Sequence, residues 1–376
     1  MTMKATLYHI DEKHRRDVGY VAGIEDFTLS RQGEIDAALI ATDPTISLYC
    51  FDETQRQALF VQLPAHIDLT LEPFVYQSQY EYAERAYTLP LASFNALAKT
   101  LPAVARPIFV HITGRSGSTL LNHALNESGL VKSLAEPDVV SQFAALRHAA
   151  PNFHEHELTE LAESTVRFLF KAHHGPDIQA HAIKFRNQGT LVMDIFQAAF
   201  PQGKNLFLYR NVVDFVASFQ RILRRAGLPE HFPFTVWRSE FQAYLAGDLT
   251  HMSRYVGGEQ AVVSIAEQLT LWWLAVIEWY VAQREQGIPA LSVSYAELVA
   301  TKAETLSAIF RYCGLPTSSV DDGLRAYERD SQAGTVMARE NPAQVNSQHL
   351  TPAELAAVQA IIERHPLVGK PDFAMP

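Results

Sequence analysis

Cysteine, long apolar runs and positive charge are all scarce in this 376-residue sequence. Its two cysteines, Cys50 and Cys313, lie far apart, which supports neither a disulfide framework nor a cysteine-based zinc site, and we interpret both as reduced core thiols. No stretch is long enough to span a bilayer, and residues 1–16 lack the apolar segment of a secretion signal. We therefore expect a cytoplasmic protein with no membrane partner.

The charge balance restricts the class of ligand. The formal net charge is −10, from 31 Lys and Arg against 41 Asp and Glu. Affinity for nucleic acid depends on many cationic phosphate contacts, so this balance argues against a nucleic-acid partner. An anionic ligand would need a local positive pocket, which makes arginine or lysine beside glycine informative here.

The sequence pattern predicts two regions of different organisation. We expect residues 1–104 to form a smaller accessory α+β region and residues 105–376 to form the main α/β domain. Pro102 and Pro107 mark the boundary between them. The first region contains no phosphate loop and no nucleophile constellation, so an accessory role, such as shaping an acceptor site, is the hypothesis for it.

In the first region, residues 47–51 and 58–63 predict a β-hairpin and residues 91–101 a helix.

In the second region, short apolar runs alternate with segments of helical periodicity. Later strands are predicted at residues 108–112, 182–185, 206–209 and 290–293, and helices at residues 119–128, from about residue 214, and around residues 269–280. This alternation is typical of an α/β fold, in which helices cover the faces of a parallel sheet.

Residues 113–119 carry the strongest local signal, because the sequence TGRSGST lies between a predicted strand and a predicted helix. Glycine lets the backbone curl so that successive amides point inward, and the helix N-terminus adds partial positive charge. The spacing is not that of a Walker A loop, which weakens a GTPase or ATPase interpretation. The alternative is an ordinary glycine-rich turn with a surface arginine. The predicted phosphate-binding residues are Gly114, Arg115, Ser116, Gly117, Ser118 and Thr119.

A second anion pocket is predicted where the strand at residues 206–209 ends. Arg210 follows this strand, and Ser218 lies about two helical turns further on, so both side chains can reach the crevice at the carboxyl ends of the strands. Together they could hold a second phosphate. The alternative is a structural Arg210–Asp214 pair beside a surface serine.

Three segments together resemble a known family. They are FVHITGRSGSTLLNHAL (residues 109–125), FLYRNVVDFVASFQR (207–221) and GIPALSVSYAELVATKAETLSAIFRYCGLP (287–316). The first is similar to the 5′-phosphosulfate loop of sulfotransferases that use 3′-phosphoadenosine-5′-phosphosulfate (PAPS), the second to their 3′-phosphate motif, and the third to their late strand and helix. The chain departs from many members at Arg115, where a lysine is common, and at Val212-Val213, where Asn-Pro is common.

The resemblance implies a fold, a reaction and roles for individual residues. It implies a doubly wound parallel sheet, PAPS as sulfonyl donor with adenosine 3′,5′-bisphosphate (PAP) as product, no metal and no ATP hydrolysis. Arg115 would then act on the leaving phosphate and the transferred group, and Lys184, at the end of a predicted strand, would contact the sulfonyl oxygens. Arg339, in the segment 331–341, would reach the nucleotide from a closing loop. Each has a structural alternative: Lys184 or Arg186 could pair with a surface acid, and residues 331–341 could be a mobile surface loop.

Glu136 is the candidate general base. Similar sulfotransferases with arginine-type loops have a glutamate in a comparable Glu-Pro segment, and a partly buried carboxylate could take the proton of the acceptor hydroxyl. Glu136 and Asp138 could equally form the acidic start of a helix. Histidine is the other common base in the family; we expect His111 to be in the core and keep His173 and His174 as outside candidates.

The sequence therefore predicts sulfonyl transfer from PAPS to a hydroxyl of a small-molecule or glycan acceptor. A nucleotide-dependent kinase or hydrolase and a non-catalytic nucleotide-binding protein are the competing hypotheses. No feature of the sequence specifies an oligomeric state.

Overall fold

Two sheets organise the computed structural model of the chain. The structure describes residues 3–15, 19–149, 153–225, 227–245, 247–329, 349–370 and 373–376. Arg339 and the predicted closing segment 331–341 lie outside these residues.

An antiparallel sheet occupies the amino-terminal region. Its strands are β1 (Lys4–Lys13), β2 (Phe27–Asp36), β3 (Ile46–Asp52), β4 (Gln57–Gln62) and β5 (Arg85–Pro90), and its helices are α1 (Ala38–Thr42), α2 (Val75–Tyr82) and α3 (Leu91–Ala98). The strand order is β2-β1-β5-β4-β3. The β3–β4 pair, with Leu48 opposite Phe60, confirms the predicted hairpin. The predicted helix at residues 91–101 is confirmed as α3, which ends three residues early at Ala98.

A parallel sheet forms the centre of the second region. Strands β6 to β12 are Pro107–Ile112, Val131–Ala135, Ala180–Lys184, Lys204–Tyr209, His231–Pro233, Val262–Ser264 and Ala290–Ser294. Five of them pair in parallel in the order β12-β9-β6-β8-β7, while β10 and β11 form a separate antiparallel pair. The four strands predicted in this region are confirmed, and β7, β10 and β11 are additions. Because the chain order reverses on either side of β6, the crevice above the carboxyl end of β6 is where such sheets bind ligands.

Helices cover both faces of the parallel sheet. Helices α4 to α14 are Ser118–Glu127, Asp138–Ala149, Glu155–Leu169, Met193–Ala199, Val212–Arg225, Phe234–Leu245, Ile265–Glu285, Tyr295–Ala300, Lys302–Tyr312, Val320–Leu324 and Pro352–Arg364. Alternate residues of β6 serve the two faces: Ile108 and Val110 pack with α4 and α12, and Phe109 packs with α5 and α7. The fold is therefore the doubly wound α/β arrangement, with a smaller α+β region at its amino-terminal end.

The amino-terminal sheet shares a hydrophobic core with the second region. Phe51 of β3 lies edge-on to Phe143 of α5, and Phe94 of α3 stacks on Phe168 of α6 with ring centroids 4.8 Å apart. The side-chain amide of Gln142 also bonds the backbone of Phe51 in both directions, accepting from its N–H at 2.7 Å and donating to its carbonyl at 2.6 Å. These contacts pack the amino-terminal sheet and α3 against helices α5 and α6 of the second region.

In the described part of the chain, none of the helices combines the length and the apolar character that crossing a membrane requires.

Candidate functional site

Four chain segments leave the carboxyl edge of the parallel sheet close to one another. The loop 113–117 follows β6, Glu136 follows β7, Lys184 is the last residue of β8, and Arg210 follows β9. This common origin places the predicted residues of both motifs on one side of the sheet.

The loop between β6 and α4 has the backbone of an anion cradle. Gly114, Arg115 and Gly117 have φ values of +83°, +51° and +78°. Left-handed residues in such a turn arrange backbone N–H groups into a concave site for anions. A side chain at Gly117 would bring Cβ to 2.8 Å from Leu298 Cδ2, so only glycine suits this position.

The start of α4 offers hydrogen-bond donors to a ligand. The first amides of a helix have no intrahelical acceptor, and no side chain caps α4 at Gly117. The buried Ser116 hydroxyl also has no hydrogen-bond partner within the described structure. These groups fit a phosphate, whose oxygens would accept the hydrogen bonds that the protein leaves unmade.

The second predicted motif, which contains Arg210 and Ser218, is hydrogen-bonded to the loop. Arg115 Nε donates to Ser218 Oγ at 2.9 Å, and Arg210 Nη1 donates to the Arg115 carbonyl at 3.3 Å. The Arg210 amide also donates to Thr113 Oγ1 at 3.2 Å. Arg115, Arg210 and Ser218 therefore form one contiguous group of donors.

The structure does not support the alternative of an Arg210–Asp214 pair beside a surface serine. Asp214 exchanges hydrogen bonds with Asn211, and Ser218 is buried. The Arg210 guanidinium instead lies over the Tyr295 ring, with Cζ 4.5 Å from the ring centroid. Its buried Nε has no hydrogen-bond partner within the described residues, and Trp273 Nε1 donates to its carbonyl at 2.8 Å. Tyr295 and Trp273 thus fix the position of Arg210, and its Nε can still donate a hydrogen bond to a ligand.

Glu136 and Lys184 form an ion pair next to the loop helix. Lys184 Nζ lies 2.7 Å from Glu136 Oε1 and donates to Thr119 Oγ1 at 3.3 Å. The Lys184 side chain is 1% exposed and the Glu136 side chain 13% exposed, so the pair is largely desolvated while the carboxylate still reaches solvent. The pair therefore fixes a carboxylate oxygen and a cation side by side next to the loop helix.

The helix after β7 begins beyond Glu136. Asp138 is the first residue of α5, and Glu136 precedes it with a φ of +58°. The acidic helix start proposed as an alternative is therefore Asp138, whereas the Glu136 carboxylate faces Lys184. Left-handed backbone at a residue with a side chain is uncommon and occurs often at functional sites.

Arg186 pairs with a buried acid and not with a surface one. Its Nε lies 3.2 Å from Asp138 Oδ1 and 3.8 Å from Glu136 Oε2. Burial lowers the pKa of the Arg186 guanidinium, but Asp138, Glu136 and the neighbouring Tyr76 and Tyr244 together outweigh this effect and raise the pKa overall. Arg186 is therefore a permanent cation within reach of Glu136.

The histidines considered as bases lie elsewhere. His111 is buried in β6, as expected; its Nε2 lies 3.3 Å from Asn205 Oδ1, and burial lowers its pKa to about 4. The His173 carbonyl contacts His181 Nε2, near the amino-terminal end of β8. His173 therefore lies at the edge of the sheet opposite the loop, and His174 follows it directly in the chain.

Within the described ranges, no group of three or more His, Cys, Asp or Glu side chains is arranged to hold a metal ion.

The comparison with protein families identifies the chain. A family model described as the sulfotransferase family matches residues 107–319, which is more than half of the sequence. The chain belongs to the sulfotransferase family. Membership supports sulfotransfer as the reaction of this sulfotransferase, and the matched segment contains all four parts of the site. A search of curated proteins returned no match.

Three solved sulfotransferases are similar in fold to this one. Sulfotransferase STF9 from Mycobacterium avium is 13% identical, with a TM-score of 0.38 over 70% of this chain and 76% of that one. A sulfotransferase from Alicyclobacillus acidocaldarius is 14% identical, with a TM-score of 0.39 over 69% and 94%. The sulfotransferase domain of the Synechococcus PCC 7002 olefin synthase is 16% identical, with a TM-score of 0.38 over 69% and 94%.

Several residues of this sulfotransferase site were not assigned from the sequence. Tyr295 and Trp273 hold Arg210, and the unpaired Asn187 side-chain amide lies 3.2 Å from where a Cβ of Gly114 would be. Tyr295 stands in the segment 287–316 that was quoted for the resemblance, so the sequence did contain a signal for it. Asn187 and Trp273 carry no motif, and only their positions in the fold reveal them.

Proposed function

We propose that this sulfotransferase moves a sulfonyl group from PAPS to a hydroxyl of a small-molecule or glycan acceptor. The observation that carries the proposal is the contact of Arg115 with Ser218 at 2.9 Å, which joins two anion-binding motifs beside the Glu136–Lys184 pair. A nucleotide with phosphate groups at its 3′ and 5′ positions is the ligand that two such adjacent pockets suit.

The residues present fit such a donor. The amides and hydroxyls of residues 114–119 would hold the 5′-phosphate end, and Arg210 with Ser218 the 3′-phosphate. The unpaired buried Ser116 Oγ and Arg210 Nε would gain acceptors on binding. Arg339 stays a further candidate for the nucleotide.

PAPS supplies a sulfonyl group whose sulfur–oxygen bond to the 5′-phosphate breaks as the bond to the acceptor oxygen forms. Glu136 accepts the proton of the acceptor hydroxyl through a carboxylate that Lys184 holds in place. Lys184 and Arg115 provide positive charge where negative charge grows on the sulfonyl and leaving oxygens. Because three fixed cations, Lys184, Arg115 and Arg210, line the site, we propose that no metal ion takes part.

We further propose that the enzyme works in the cytoplasm. Cys50 and Cys313 are both buried and unpaired, as expected for a chain that stays in a reducing compartment.

Calorimetry tests the donor. PAP should bind without Mg²⁺ and more tightly than ATP. ATP binding that is tighter and requires Mg²⁺ would favour a kinase or hydrolase and contradict the proposal.

Glu136→Gln tests the base. With labelled PAPS and a panel of phenols, alcohols and glycans, this variant should lose about 10²–10⁴-fold in kcat, because the amide cannot accept the proton. It should bind PAP as the parent enzyme does. Glu163→Gln, which alters a glutamate paired with Arg167 on α6, is the control and should transfer normally. Normal transfer by Glu136→Gln would show that another group is the base, and the absence of transfer in the parent enzyme would favour a non-catalytic binding protein.

A further inference from the structure

A row of buried charges links Glu136 to the amino-terminal region. From Glu136 it passes to Arg186, then to Asp138 and finally to Arg15, which lies two residues after β1. The Arg15 and Arg186 side chains are 2% and 4% exposed, and that of Asp138 is wholly buried. Arg15 ends this row near Asp26, with its Nε 3.7 Å from Asp26 Oδ2.

Arg15 is one of two cations that stabilise the charge of Asp138. Arg15 Nη2 lies 2.6 Å from Asp138 Oδ2, and the same oxygen accepts from the Ala22 amide at 2.9 Å. Burial raises the pKa of Asp138, while Arg186 and Arg15 oppose that effect. Removal of one partner from a buried charge group leaves the remaining charge poorly compensated, which is costly in a low-dielectric interior.

Arg186 is held from three directions. The Asp138 carboxylate forms an ion pair with its Nε at 3.2 Å, the Gly19 carbonyl accepts from its Nη1 at 2.9 Å, and the Tyr76 ring lies under its guanidinium, with Cζ 3.8 Å from the centroid. Gly19 and Tyr76 both belong to the amino-terminal region. This region therefore sets the position of a cation that faces the candidate base.

The position of Arg186 matters for the second oxygen of Glu136. Lys184 occupies Glu136 Oε1 at 2.7 Å, whereas Arg186 Nε stays 3.8 Å from Oε2, beyond hydrogen-bond distance. At that distance Arg186 stabilises the carboxylate charge but leaves Oε2 able to accept a proton from a substrate. An Arg186 that turned fully to Glu136 would occupy this oxygen, and one that turned fully to Asp138 would withdraw its charge.

We propose that Arg15 is a positioning residue for sulfonyl transfer, acting through Asp138 and Arg186 to hold a cation beside Glu136 and to leave one of its oxygens open. The inference rests on the proposed function, because it assigns Glu136 the role of base. It gives the amino-terminal region an indirect part in the chemistry, through the placement of Arg186. Among the described residues, the titratable or charged groups around Glu136 are Lys184 at the end of β8, Arg186 two residues later, Tyr76 on α2 and, beyond Arg186, Asp138 at the start of α5.

Three substitutions at Arg15 test this role by their effect on the pH profile of kcat. Arg15→Met and Arg15→Gln both remove a cation from the row, so the acid limb should move to higher pH because Glu136 loses charge stabilisation. Misplacement of a reacting group by about 1 Å can cost on the order of 10²-fold, so we expect Arg15→Met to lose about 10- to 100-fold in kcat. Arg15→Lys retains the charge and should keep the acid limb of the parent enzyme.

Controls separate positioning from stability. Phe94→Leu destabilises the shared core without touching the charge row, and Arg31→Met removes an exposed arginine of the same sheet. Neither should move the acid limb. PAP affinity, measured by calorimetry, should be unchanged in all five variants. The proposed nucleotide pocket is built from other residues, namely 114–119, Arg210 and Ser218. If Arg15→Met does not fold, Arg15→Gln gives the same test, since it retains a hydrogen-bond donor for Asp138.

An unchanged acid limb in Arg15→Gln, or an equal shift in Arg15→Lys, would overturn the inference. Loss of PAP affinity in Arg15→Gln would also overturn it, by showing that the residue serves the donor pocket. Absence of PAPS-dependent transfer in the parent enzyme is a different result, which refutes the proposed function itself.

Discussion

Single residues of the loop after β6 adopt backbone conformations that side chains disfavour. Arg115 has a φ of +51°, a conformation that costs about 1–2 kcal/mol for a residue with a Cβ. Its Nε bond to Ser218 and the bond that its carbonyl accepts from Arg210 hold it there. These two bonds offset the strain and keep the guanidinium between the two motifs.

Gly117→Ala tests how closely the loop is fitted. The new Cβ would lie 2.8 Å from Leu298 Cδ2 and 2.9 Å from Tyr295 Cδ2, so α11 or the loop must shift. We expect PAP affinity to fall by at least about tenfold, equivalent to about 1.4 kcal/mol, in calorimetric titrations.

Gly129→Ala is the matched control, because Gly129 has a φ of +71° but no atom within 4 Å of its added Cβ. It should cost about 1–2 kcal/mol of unfolding free energy and leave PAP binding intact. Equal PAP affinity in the two variants would mean that the loop does not bind the nucleotide.

At the scale of elements, α11 supports the loop although it lies far from it in sequence. Tyr295 and Leu298 pack against Gly117, and Tyr295 also lies under Arg210. The helix is short, and a capping box starts it: the Glu297 amide donates to Ser294 Oγ at 3.1 Å, and the Ser294 amide donates to Glu297 Oε2 at 2.9 Å. By stabilising the first turn of α11, the cap keeps Tyr295 in place beside Arg210 and Gly117.

Ser294→Ala should weaken both the fold and the nucleotide site. Loss of an N-cap side chain costs about 1 kcal/mol, which urea unfolding would measure, and a frayed α11 should lower PAP affinity through Tyr295. Thr351→Ala removes the equivalent cap from α14 and is the control. It should lose similar stability with no change in PAP affinity; a parallel loss in both variants would point to general destabilisation.

At the scale of the whole molecule, the two regions depend on each other. Phe51 and Phe94 pack against helices of the second region, and Arg15 reaches the acid at the start of α5. Removal of the amino-terminal region would expose this core. It would also leave the buried Asp138 carboxylate without its Arg15 partner. For this reason the division at residues 104 and 105, which stays a prediction, is better tested by substitution than by truncation.

The buried His111 and the half-buried His173 make stability dependent on pH. Burial lowers the pKa of both His111 and His173 to about 4, below the value of about 6.5 in an unfolded chain. Between these values the unfolded chain binds more protons, so the free energy of unfolding should fall as pH drops from about 6.5 to 4, by on the order of 3 kcal/mol for His111 alone.

Urea unfolding at several pH values measures this slope. His111→Gln should lose part of it, while His66→Gln, at an exposed position, should keep the whole slope. An unaltered slope in His111→Gln would show that His111 is not held neutral in the fold.

The sequence alone determined the features that local chemistry dictates. Positive φ requires glycine at 114 and 117, and alternation of strand and helix patterns predicts a parallel sheet, so the loop, its helix, Arg210 and four of the five central strands were predictable. Only the tertiary structure decided which side chains meet: Arg115 contacts Ser218 across 103 residues, and Arg15 contacts Asp138 across 123. Such contacts depend on strand order and on how the amino-terminal sheet packs against α5. The physical reason is that local backbone preferences act within a few residues, whereas these pairings arise only when distant elements bury a common core.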